Sequence, residues 1–237
     1  TVGRALPAGL VTPRFVLLFV VVSLALLLLA AWRLNPLCLW LSPVAIVVLL
    51  GYSYTKRFTW GAHLALGVAL AGAPLGAWIA VRGSVATTPL LLAAAVVTWV
   101  AGFDVLYSCL DADFDRQAGL HSLPARFGRR GALQLARGFH LLAFAGFVAT
   151  GWQADLGLPW WIGLSVAAVA FVAQHAMVRP DDLARVQFAF FQLNAAVSIS
   201  LFFAAWAVVY AILRPWAARV ADWSGGSVGE DIQPPAQ

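Results

Sequence analysis

The chain has 237 residues, of which 62% are hydrophobic and 11% charged, with a mean hydropathy of +0.86. Soluble domains carry about 25% charged residues, and a soluble helical core has no room to hide this much apolar surface. The formal net charge is +5, but the basic residues sit in short loops between apolar runs, which marks a topology signal and not a nucleic-acid surface.

The opening segment, "TVGRALPAGLVTPR", begins with Thr1 and lacks the charged start, apolar middle and small-residue cleavage site of a secretory signal. It reads as a loop from within a longer protein, with the natural N-terminus missing. Seven apolar runs follow, at roughly 15–32, 36–54, 62–81, 88–110, 131–151, 158–178 and 186–213. A transmembrane helix takes about 20 mostly apolar residues, so the expected fold is an all-α, polytopic transmembrane bundle. Residues 1–213 are expected to form one domain, and the Gly/Pro-rich stretch 214–237 a polar, disordered tail. No internal repeat or soluble second domain stands out.

With the N-terminal segment inside and the spans alternating, eleven basic residues fall inside and four outside. The inner set includes Arg4, Lys56, Arg57, Arg116, Arg126, Arg129 and Arg130, and most acids share that face. The positive-inside rule therefore predicts that the polar chemistry faces the cytoplasm.

Cys38 and Cys109 form no CxxC pair and read as small buried hydrophobes. His63, His140 and His175 are scattered, with no ligand cluster. Trp32, Trp60, Trp78, Trp152, Trp160 and Trp161 lie near predicted span ends, as an aromatic belt requires.

The fourth run ends in "DVLYSCLDADFDRQAGLHSLP", from Asp104 to Pro124. At about 100° per residue, a continuous helix puts Asp104, Asp111 and Asp115 on one stripe, with Tyr107 nearby and Asp113 on the opposite face. Carboxylates near hydrocarbon repel one another and are costly, so a cation is expected among them. Mg²⁺ takes a few carboxylates plus substrate phosphates, which suggests a Mg²⁺–phosphate site open to the cytoplasm. The competing reading is a solvated helix end with scattered acids, and spacing alone leaves both open.

"GYSYTKRFTW" (residues 51–60) emerges on the same side. Tyr52 and Lys56 are four apart and would share a helix face. Lys56 and Arg57 suit phosphate oxygens, or simply set topology. Arg4 is a third basic candidate. His121 and Ser122 follow the acidic stripe and either reach a ligand or form a turn. Gln192 and Asn194, in "FAFFQLNAAVSISLFF", are either ligand contacts or helix-packing groups.

Together, "RALPAG" (4–9), "YSYTKRFT" (52–59) and "DVLYSCLDADFDRQAGLHSLPARFG" (104–128) resemble the UbiA superfamily of intramembrane aromatic prenyltransferases. The last segment fits that family's second aspartate motif, D-x-x-Y-x-x-x-D-x-x-x-D. Its trailing "GLHSLPARFG", with "FFQLNAAVS" near the end, looks like the 4-hydroxybenzoate polyprenyltransferase branch and its menaquinone-pathway relatives. The family's first motif, NxxxDxxxD, should stand just before "TVGRALPAG" and is absent, as is the helix that carries it. The resemblance therefore implies a bundle of eight or nine helices cut to seven runs, and a fragment inactive on its own.

What the resemblance implies is Mg²⁺-dependent transfer of a polyprenyl group from its diphosphate to an aromatic acceptor, with 4-hydroxybenzoate the leading candidate, in ubiquinone- or menaquinone-type quinone synthesis. Asp111 and Asp115, with Asp104 beside them, would hold the metal. Arg4, Lys56 and Arg57 would hold the diphosphate. Tyr52 or Tyr107 would face the allylic cation, and His121, Ser122 and Asn194 would help bind substrate. Expected partners are polyprenyl diphosphate, the aromatic acceptor and membrane lipid, with no nucleic acid, in the bacterial inner membrane. Dihydroxynaphthoate, homogentisate and haem are alternative acceptors within the superfamily. A cation-coupled transporter is the reading from a different class. It predicts acids near the midplane of several spans, whereas here they cluster at one face. A CDP-alcohol phosphotransferase would need a DGxxAR signature, which has no counterpart.

Overall fold

Thr12 starts the first helix. Its hydroxyl accepts the Phe15 amide at 3.3 Å, and Pro13 fills the first turn, where its missing N–H costs nothing. The computed structural model describes residues 5, 6 and 8–225, and side chains only as far as residue 215. Seven of its helices are long and apolar enough to cross a membrane. The spans are α1 (Pro13–Leu34), α2 (Pro36–Gly51) with the short helix that carries it on to Arg57, α3 (Ala62–Arg82), α4 (Thr87–Ser108), α6 (Leu123–Gln153), α7 (Gly157–Met177) and the run that ends in α9 (Asn194–Gly225). A short α5 (Ala112–Gln117) lies between α4 and α6, and α8 (Val186–Phe188) leads through a π-turn at Ala189–Leu193 into α9. Among the described residues there is no strand, only a bridge between Arg179 and Asp182. The expected all-α membrane bundle is present.

Successive spans pack on one another in chain order, α1 on α2 through α7 on α9. α1 buries only Ala31 and presents Phe15, Leu17, Leu18 and Phe19 outward, as a lipid-facing helix does. The interior lies between α4, α6, α7 and α9, around Ala95, Phe147, Trp160, Leu164, Phe171 and Val197. Close approach there depends on small residues. A Cβ added to Gly163 of α7 would stand 2.5 Å from Ala204 Cβ and 2.8 Å from the Ser200 carbonyl oxygen of α9.

Polar side chains tie span ends together. Asn35 caps α2 by accepting the Cys38 amide at 3.0 Å. Its amide group also donates to the carbonyls of Ile79 and Ala80 at the end of α3, at 2.8 and 3.2 Å. The π-turn is satisfied in the same way. Gln174 of α7 donates to the Ala189 carbonyl at 3.1 Å and to Asn194 Oδ1 at 2.8 Å, and Asn194 donates to the Phe190 carbonyl at 2.8 Å.

Within the spans and their ends, the structure departs from the sequence reading at several points. α6 begins at Leu123 and not near 131, because Ser122 caps it and Pro124 fills its first turn. Gly128 (φ 69°) then kinks it, and the arginines at 126, 129 and 130 had masked this turn in the hydropathy pattern. The fourth span ends at Ser108, so Asp104 and Asp115 do not lie on one continuous helix. His140 and His175 are not scattered: His140 Nδ1 lies 2.9 Å from His175 Nε2, joining α6 to α7.

Candidate active site

The site grows from the break between α4 and α5. After Ser108 the bonding tightens: the amides of Cys109, Leu110 and Asp111 reach the carbonyls three residues back, at 3.3, 3.0 and 3.1 Å. Asp111 then starts α5, and its carbonyl takes the Asp115 amide at 2.8 Å. Asp115 is brought to the inner side of α5 and buried to 1% exposure, while Asp111 stays exposed. The break redirects the acids. Asp113 points outward, as the spacing suggested, and pairs with Arg116 and Arg129 at 3.3 and 3.0 Å.

Facing α5 is the segment Tyr52–Arg57, which is a 3₁₀ helix. Its three-residue turn eclipses i with i+3. Tyr52 therefore meets Thr55, whose hydroxyl donates to the Tyr52 carbonyl, and the face shared by Tyr52 and Lys56 that an α-helix would create is not formed. Lys56 instead reaches Asp115, with Nζ 2.7 Å from Oδ2. The Lys56 carbonyl accepts the His121 amide at 2.7 Å, which fastens the loop after α5 to the 3₁₀ helix. Arg57 is exposed, with its guanidinium 5.3 Å from the Tyr54 ring.

A second acid pair stands beside the first. His63, in the first turn of α3, places Nδ1 2.6 Å from Asp104 Oδ2 at the end of α4. The other nitrogen of the ring, Nε2, lies 3.4 Å from the Leu123 amide at the start of α6. Around them, Arg126 stacks 3.7 Å over the Trp60 ring, whose other neighbour is His121 at 5.2 Å. His121 Nδ1 is buried without a hydrogen-bond partner among the described residues. Toward the bilayer, Tyr107 packs on Phe190 at 4.5 Å, Phe190 on Phe103 at 5.3 Å and Phe103 on Trp99 at 6.0 Å, a ladder of rings below the acids.

The structure therefore brings Lys56, Asp104, Asp111, Asp115, His121 and Ser122 to one end of the bundle, with Tyr52, Arg57 and Tyr107 at its margin. Ser122 is buried, and its hydroxyl accepts the Ala125 amide at 3.4 Å. Asn194 lies deeper: its Oδ1 takes Gln174 and Trp99 at 2.8 and 3.1 Å, so its carbonyl is engaged in packing. Gln192 is exposed. Arg4 lies outside the described residues. Sequence reasoning placed Trp60 and Arg126 on this side of the membrane but did not name them as site residues, and it missed His63. No local signal marks them, since each meets its partner only through the tertiary fold.

Cys109 sits behind the break. Burial pushes its thiol up to about 11 against a smaller opposing pull from Arg129, so it stays protonated and inert. Among the described residues, no three His, Cys, Asp or Glu side chains gather into a metal site. The donors at this end are hard oxygens of the kind Mg²⁺ prefers, but Asp115 and Asp104 already hold cationic or N–H partners. The described residues alone do not fit a complete metal centre.

Comparison with known proteins agrees with this architecture. Residues 1–196 match the model of the UbiA prenyltransferase family. A 4-hydroxybenzoate octaprenyltransferase of Shewanella sediminis is 34% identical over 205 residues, 86% of this chain and 71% of that protein. The enzyme of the same name from Cupriavidus pinatubonensis is 32% identical, covering 90% of this chain and 73% of its own length. Its namesake from Tolumonas auensis is 30% identical, covering 76% and 62% respectively. In three dimensions the chain resembles the apo structure of a UbiA homologue from Aeropyrum pernix K1, with a TM-score of 0.78 at 35% identity over 85% of this chain and 75% of that one. A lysine paired with a buried aspartate at the acidic end of an apolar bundle, a family match over most of the chain and a solved neighbour of the same shape converge: the chain belongs to the UbiA prenyltransferase family and is a membrane-embedded prenyltransferase.

Proposed function

We propose that the protein transfers a polyprenyl group from its diphosphate to the ring carbon of 4-hydroxybenzoate, at the cytoplasmic face of a bacterial inner membrane, in the synthesis of a ubiquinone- or menaquinone-type quinone. The observation that carries this reading is the Lys56–Asp115 pair, 2.7 Å long and anchored on a buried carboxylate, at the mouth of an aromatic-lined apolar interior. The names of the relatives support the acceptor.

The chemistry follows from what each group can do. Lys56 and Arg57, with Arg4, are the cations for the diphosphate oxygens. Asp115 holds Lys56 in place before the substrate arrives, so its ammonium needs little reorganisation as negative charge grows on the leaving group. Breakage of the carbon–oxygen bond leaves an allylic cation on the prenyl chain. The ladder of Tyr107, Phe190, Phe103 and Trp99 offers ring faces to that cation and excludes water that would quench it. Tyr52, at the upper margin, is a further ring for this role. The electron-rich ring of the acceptor then forms the new carbon–carbon bond and releases its proton. His121 and Ser122 are assigned to the acceptor side, His121 through its unpartnered Nδ1, and Asn194 to the inner end of the ring ladder, where it holds Trp99. The prenyl tail stays in lipid throughout.

Mg²⁺ is proposed as the metal that would accompany the diphosphate and supply charge neutralisation there; of the acids on this chain, the exposed Asp111 would offer it oxygens directly, Asp104 through the oxygen that His63 leaves free, and Asp115 only by sharing its carboxylate with Lys56. The test uses the full-length gene product in membranes with a labelled long-chain prenyl diphosphate, 4-hydroxybenzoate and Mg²⁺, with an EDTA control. The expected result is a metal-dependent, lipid-soluble prenylated acid. Metal-dependent binding of the diphosphate without product refutes 4-hydroxybenzoate as acceptor. Absence of binding refutes the diphosphate site.

A further inference from the structure

His63 is the only histidine at the acidic end that contacts a carboxylate among the described residues. Its two ring contacts define which nitrogen donates and which accepts. The Leu123 amide can only donate, so Nε2, at 3.4 Å, must accept. A neutral ring with an accepting Nε2 carries its proton on Nδ1, and Nδ1 therefore donates to Asp104 Oδ2 at 2.6 Å. Three helix ends thus meet on one imidazole: the start of α3, the end of α4 and the start of α6. The side chain of His63 is 3% exposed, whereas that of Asp104 is 28% exposed. Its second oxygen, Oδ1, has no hydrogen-bond partner among the described residues.

An aspartate carboxyl rotates freely about its last bond, where the torsional wells are broad. A carboxylate that must meet a ligand in one orientation gains from a fixed partner on its other oxygen, as metal-ligating and catalytic groups commonly do. We propose that His63 is a positioning residue for prenyl transfer: it donates Nδ1–H to Asp104, clamps Oδ2, and leaves Oδ1 as the one oxygen offered to the substrate side. The Leu123 amide sets the tautomer, so the loop that carries His121 and Ser122 is coupled through this ring to Asp104. The inference rests on the prenyl-transfer reading above and adds a residue to it.

The test combines kinetics with a signature of the ring itself. In the full-length protein, His63→Ala is expected to lower kcat by about 10- to 100-fold, the usual cost of losing such an orienting partner, with a far smaller change in KM for the prenyl diphosphate. Asp104→Asn is expected to cost as much, and the double variant no more than the worse single, because the two act as a unit. His63→Asn, which keeps an N–H donor close to the place of Nδ1, is expected to recover more of kcat than His63→Gln. These two variants also carry the comparison if His63→Ala fails to fold. In ¹⁵N-histidine-labelled protein in lipid bilayers, the His63 resonances are expected to report an Nδ1–H ring and to shift on Asp104→Asn.

Losses that multiply in the double variant, a full rate in His63→Ala, or a His63 signal that Asp104→Asn leaves unmoved would each overturn the proposal. Failure of the unsubstituted protein to prenylate 4-hydroxybenzoate refutes the proposed acceptor and not this contact, which the histidine resonances then decide alone.

Discussion

Lys56 and Asp115 illustrate how differently two ion pairs behave in one small region. Asp115 is 1% exposed and Lys56 30%. Removing Lys56 leaves a buried carboxylate without its charge partner, which costs about 3–5 kcal/mol in comparable cases. Lys56→Met is therefore expected to lower both stability and transfer. Lys56→Met with Asp115→Leu is expected to regain the thermal midpoint in detergent but not the activity, which separates the two roles. Asp115→Asn alone is expected to cut kcat by about 100-fold or more, the scale of losing a preorganised electrostatic group, with product formation in membranes as the readout. Asp113 is the internal control. Its side chain is 66% exposed and its pairs with Arg116 and Arg129 lie in solvent, where such pairs contribute about 0–1 kcal/mol. Asp113→Ala is expected to leave rate and midpoint unchanged. The spacing already set Asp113 on the face opposite Asp115; it could not show the partner of Asp115, because Lys56 reaches it from a segment some sixty residues earlier in the chain.

At the scale of elements, the seven spans were legible because hydropathy over about 20 residues is a strong signal. Breaks of three residues are not. Cys109, Leu110 and Asp111 look like helix in sequence, and only the loss of the i−4 ladder at the membrane edge sends Asp115 inward. The 3₁₀ character of Tyr52–Arg57 and the π-turn at Ala189–Leu193 were invisible for the same reason. Asn194 was read as either a packing group or a ligand contact, and in the fold its amide bonds Gln174, Trp99 and the Phe190 carbonyl. Asn194→Ala strands the donors of Gln174 and Trp99, and is expected to destabilise the α7–α9 contact by about 1–2 kcal/mol, measured by unfolding in mixed micelles. Gly163→Val is expected to be worse, since its added atoms meet the backbone of α9 and not a flexible side chain.

For the whole molecule, the membrane supplies what the chain does not bury: α1 and much of α2 expose leucine, valine and phenylalanine along their length. The basic loops predict which way the bundle lies. With Cys38 replaced by alanine and Cys109 inert by burial, Gln117→Cys is expected to react with an impermeant maleimide only in inside-out vesicles, and Ser84→Cys only in right-side-out ones. The opposite pattern would place the acidic end outside the cell. The shared bonds of Asn35 also bear on how such a bundle is made. This one side chain caps α2 and closes the end of α3, using acceptors 44 and 45 residues further along the chain. A ribosome delivers those acceptors late. The turn between α1 and α2 can therefore be fixed only after α3 has been made, which leaves Asn35 as a latch on all three helices.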